Sequence, residues 1–100
     1  MTNQRTKDYE SLAAVLNRAF DQAANGKGAE RHAVSLPFDE QPMQSISSLV
    51  GSHTGLLYQA IKKTQESVRL PHDRAIAELL GAINYLAGAI IYLEKNHGVQ

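Results

Sequence analysis

Apolar residues recur with a helical period in three blocks, and the period is lost between the blocks. The most regular block runs from Asp73 to Lys95. Ile76, Ile83 and Ile90 fall every seven residues, and Leu79, Leu86 and Leu93 repeat at the same interval three places later. This is an a/d pattern sustained for three heptads. Ala75, Ala82 and Ala89 occupy the g positions and Leu80 and Ala87 the e positions, so the apolar surface is wider than a two-helix seam requires. The pattern predicts a core helix over 72–96 that one neighbour cannot cover, and hence a homo-oligomer.

The first block predicts an amphipathic helix over 6–24, because Tyr9, Leu12, Ala13, Leu16, Ala19, Phe20 and Ala23 follow the i, i+3, i+4 rule. Asn25 and Gly26 supply its stop. The middle block, Met43, Ile46, Leu49, Val50, Leu57, Ala60, Ile61, Thr64 and Val68, predicts a helix over 42–68. Gly51 and Gly55 interrupt it, so a bend near 51–55 is the alternative to a continuous helix. Ser47, Gly51 and Gly55, and likewise Ala77, Gly81 and Gly88, form strips on which another backbone is expected to approach closely. The short turn Arg69-Leu70-Pro71-His72 makes the second and third helices an antiparallel hairpin. The fold class expected is all-α: a helical hairpin plus an N-terminal amphipathic helix, a compact bundle of one domain over 1–100.

Residues 25–41 lack a period and hold two glycines and a proline, with Asp39 expected to cap the helix that follows. A connection this long inside a small domain is uncommon without a task of its own. Glycines on both sides of Lys27 free the backbone to turn N–H groups toward an anion; Arg31 adds a planar fork and His32 a third donor. Phe38 and Gln41 are placed to stack on and hydrogen-bond a base, and Tyr85 to line a cleft between subunits. The plainer alternative is a solvated glycine turn with Phe38 plugging the core.

Charge narrows the classes further. Ten Lys and Arg balance ten Asp and Glu, which removes the signature of a general nucleic-acid binder. The absence of cysteine excludes disulfides, a thiolate nucleophile and Cys-based zinc sites. The polar start MTNQRTKDYE is not a secretory signal, and the uncharged run 79–93 is shorter than a membrane span, so a cytoplasmic protein is expected. The four histidines have no H-x-x-x-H pair. All-α nucleotide pyrophosphohydrolases hold magnesium on paired E-x-x-E and E-x-x-D carboxylates. Here Glu66 stands alone and Glu78 has only Asp73, five residues earlier, so neither an enzyme nor a cofactor is expected.

The order of a polar helix, then GKGAERH, then PFDEQPM, then a hairpin ending in ELLGAINYLAGAI resembles small all-helical accessory proteins of tailed phages and prophages. The likeness runs from about Phe20 onward and assigns no residue a role. It implies an anti-defence function: small helical phage proteins include sponges for cyclic nucleotides and inhibitors that dock on host enzymes. The reading is therefore a non-enzymatic oligomeric binding protein that captures a phosphate-bearing small molecule such as a nucleotide, through Lys27, Arg31, His32, Phe38, Gln41 and Tyr85. The alternative is a protein–protein interaction module that modulates a host protein.

Overall fold

A computed structural model describes residues 4–26 and 36–97. They form α1 (Gln4–Asp8), α2 (Glu10–Asn25), a 3-10 turn (Phe38–Glu40), α3 (Pro42–Val50), α4 (Thr54–Ser67) and α5 (His72–Lys95), with no strand among them. The class is all-α.

Two of the expected elements are subdivided, each for a local reason. The first helical block breaks at Tyr9, whose φ/ψ of −112°/13° lies outside the helical well; its N–H reaches back only to the Thr6 carbonyl. The middle block breaks at Gly51. There φ is +78°, and the Gly51 and Ser52 N–H groups both close onto the Ser47 carbonyl, as in a left-handed helix stop. α4 restarts three residues later. Asp39 does not cap α3: it lies within the 3-10 turn, Gln41 holds the cap position, and Pro42 opens the helix where its missing N–H costs nothing.

α5 is the axis on which the rest is laid, and α4 makes the most extensive contact with it, antiparallel across the turn at 68–71. The small residues of α5 make that contact possible. A Cβ added at Gly81 would sit 3.1 Å from the Lys63 Cδ, and one at Gly88 would overlap the Met43 Sδ. The strip expected on the middle block has a different use. Nothing lies within 4 Å of a Cβ at Gly51 or Gly55, so one is a conformational stop and the other faces open space.

Three side-chain amides tie the elements together by donating to main-chain carbonyls, each of which has a second lone pair beyond its helical bond. Gln22 Nε2 reaches the Ala77 carbonyl at 3.1 Å and Asn84 Nδ2 the Ala19 carbonyl at 2.9 Å, fixing α2 against α5. Gln44 Nε2 reaches the Gly88 carbonyl at 2.8 Å and fixes α3.

The core lies on the opposite side of α5 from the one its heptads suggest. Leu80, Gly81, Ala82, Gly88, Ala89 and Tyr92 are buried, whereas the ladder residues Leu79, Leu86, Ile90 and Leu93 are 42%, 46%, 58% and 49% exposed. The chain hides the flank and leaves the ladder outside. The apolar face of α2 is open too: Ala19 is buried, while Tyr9, Leu12, Leu16 and Phe20 are exposed. Among the described residues α5 is also the one helix long and apolar enough to cross a membrane, with a mean hydropathy of 1.7 over a window that is only 33% buried.

Candidate functional site

Of the six residues singled out for ligand capture, Lys27, Arg31 and His32 lie outside the described residues. The other three are not brought to one place. Phe38, half-buried in the 3-10 turn, lines an open concavity of about 510 Å³ with Asp39, Ile91, Glu94 and Lys95. Gln41 is not on that wall; its Nε2 donates to the Leu36 carbonyl at 3.2 Å and closes the local turn. Tyr85 stands six residues before Ile91, on the α4 side of α5, with the Lys63 Nζ 5.9 Å from its ring centre. That is within cation–π range.

The concavity is built where the chain arriving from residue 36 is pinned to the end of α5. Lys95, in the last turn of α5, donates to the Asp39 carbonyl and lies 3.9 Å from the Asp39 carboxylate. The cation is thus already engaged, and Asp39 and Glu94 bring two carboxylates to the same wall. Such a surface repels a phosphate unless further cations are supplied.

The second polar group sits between α4 and α5. Lys63 bridges to Glu78 at 3.5 Å, with both side chains about a quarter exposed, and spans the Tyr85 ring. Its stem covers Gly81, so the ammonium is held in place by packing as well as charge. A cation paired this way is an anchor for the hairpin. It is not a free donor for a ligand.

Sequence reasoning places Lys63 on a solvated basic face and Lys95 at the end of a helix dipole, and assigns neither its partner. Lys63 and Glu78 lie at equal distances from the centre of the 69–72 turn, so the hairpin register contained that pair. Lys95 and Asp39 are 56 residues apart, and no local pattern joins them. Among the described residues no group of three or more His, Cys, Asp or Glu side chains converges. The fold also leaves apolar surface outside: the outward ladder of α5, with the open face of α2 on the helix packed beside it.

Comparison with protein-family models, with curated proteins and with solved structures finds no match to the chain in any of the three.

Proposed function

We propose that the protein is a non-enzymatic interaction module that works by docking apolar helix faces. The observation that carries this reading is the outward ladder of α5, four rungs of which are about half exposed. Apolar residues placed singly on a surface are ordinary, whereas a contiguous apolar stripe on a helix that has already buried its opposite side marks a docking surface. A cytoplasmic phage accessory factor that modulates a host protein is the setting that the sequence resemblance implies for such a module.

Capture of a phosphate-bearing small molecule is the second reading, favoured by one observation, the Phe38 ring and the Lys95 cation lining a single concavity. The carboxylates of Asp39 and Glu94 oppose it, so binding would depend on Lys27, Arg31 and His32 to outweigh them.

Two experiments run side by side separate the readings. Immobilised full-length chain is used for capture from a bacterial lysate, and the free chain is melted against mono-, di- and cyclic nucleotides. The docking reading expects one protein retained at stoichiometric amounts through moderate salt, and no thermal shift. A nucleotide at 100 times its Kd would add about 2.7 kcal/mol of stability. That shift, with nothing captured, overturns the docking reading in favour of the ligand.

A further inference from the structure

We infer that the partner on the α5 ladder is a second copy of this chain, bound through α5 in parallel and in register. The inference rests on the docking reading and names the face, the partner and the orientation.

The first ground is the division of labour around α5. In heptad terms the chain's own elements bury Tyr92 at c, Gly81 and Gly88 at f, Ala82 and Ala89 at g and Leu80 at e. Ala77 and Asn84, at b, hold α2. Glu78 and Tyr85, at c, meet Lys63 of α4, and Gly81 and Gly88, at f, receive Lys63 and Met43. Positions a and d lie on the other side of the helix, facing away from α2 and α4 together. Leu79, Leu86, Ile90 and Leu93 are the rungs left open, and Ile76 and Ile83 are half-buried. The ladder spans about 26 Å of helix with no charged residue at any rung.

The second ground is the identity of the rungs. Isoleucine at every a and leucine at every d is the combination that favours two parallel strands over higher assemblies, because each residue packs beside its own counterpart in a geometry that suits its branching. A generic apolar surface for an unrelated partner needs no such segregation. Self-pairing explains it.

The third ground is charge at the flanks. In parallel register the g positions of one copy lie toward the e positions of the other; Ala82 and Ala89 at g and Leu80 at e are already buried within the chain, and Glu94 is the one charged residue at g or e from Ala75 to Glu94, so no like charges meet. Reversing one helix sets e against e, which brings Asp73 opposite Glu94 at both ends. Both residues are exposed, and the repulsion selects the parallel arrangement.

The chain contains no cysteine, so a single introduced thiol reports the geometry without background. The test combines sedimentation of the full chain across micromolar concentrations with oxidative crosslinking of Leu79→Cys and Leu93→Cys. The expected result is a dimer in which each single-cysteine variant crosslinks to itself. Leu86→Lys should weaken the dimer by at least about tenfold, while Ile61→Lys, on the exposed face of α4, should leave it within about threefold; circular dichroism verifies that both variants stay helical. A folded monomer throughout the range overturns the inference. So does crosslinking only in a mixture of Leu79→Cys with Ile90→Cys, the signature of antiparallel pairing. Flotation of the monomer with phosphatidylcholine vesicles, abolished by Leu86→Lys, also overturns it and assigns the ladder to lipid. If the chain is monomeric yet still retains a lysate protein, the docking reading survives and only the self-pairing fails.

Discussion

Gly51 and Gly55 look alike in the sequence and do opposite things in the fold. Gly51 adopts φ +78°, where an L-residue is strained, so Gly51→Ala is expected to cost about 1 kcal/mol. Gly55 is in the first turn of α4 with open space around its Cα, so Gly55→Ala is expected to stabilise by about 0.4–1 kcal/mol through a less flexible unfolded chain. Urea melts of the two variants, with the slope unchanged, check the sign of each. Gln44 presents a different problem. Its Nε2 is satisfied by the Gly88 carbonyl, but its Oε1 is buried with no partner. The bond contributes about 0.5–1.5 kcal/mol and the orphaned oxygen costs about 1–3 kcal/mol, so Gln44→Met is expected to be neutral or stabilising. A drop in melting temperature of several degrees would mean that the oxygen has a partner such as a bound water.

At the scale of elements, the contact between α3 and α5 turns on a single absent side chain. A valine at position 88 would be driven into Met43 and Leu56 and is expected to cost about 1–3 kcal/mol. At Gly81 the neighbour is the flexible stem of Lys63, and the gain in helix propensity offsets the crowding, so Gly81→Ala should fall within about 1 kcal/mol of the parent. Equal losses at both sites in urea melts would contradict this difference. The same comparison explains what was legible in the sequence. The strip Ala77-Gly81-Gly88 predicts close approach on α5, and Gly81 and Gly88 serve it. The strip Ser47-Gly51-Gly55, spaced by four throughout, does not, because Gly51 leaves the helix and breaks the strip in two. Spacing alone cannot separate a packing glycine from a stop glycine; the distinction lies in φ, which neighbouring contacts settle.

For the whole molecule the question is which surface remains once the chain has folded on itself. If α5 pairs between copies, the dimer is stabilised by mass action, and the melting temperature of the full chain should rise steadily with protein concentration. A melting temperature constant over a hundredfold range would remove the support for self-association. The candidate ligand residues divide at this scale as well. Phe38 reaches a wall shared with the end of α5, Tyr85 faces α4, and Gln41 is spent on its own turn. A segment rich in donors was visible in the sequence, but the acidic groups that share a wall with Phe38 were not. Glu94 is on a distant helix, and its approach to Asp39 and Phe38 exists only through the fold.

Hydrophobic period by itself determined the helical class, the placement of the long C-terminal helix and the existence of a turn before it, because these follow from local backbone preference and from a 3.6-residue repeat that every turn restates. Which side of that helix would be core was decided only in three dimensions. The Ile/Leu ladder is the more hydrophobic side, yet the glycine and alanine side is the one that admits α3 and α4 to close range, with Gln44 able to reach a main-chain carbonyl there. Close packing and hydrogen bonds depend on shape and distance between remote segments, and that information is carried by no single stretch of the chain.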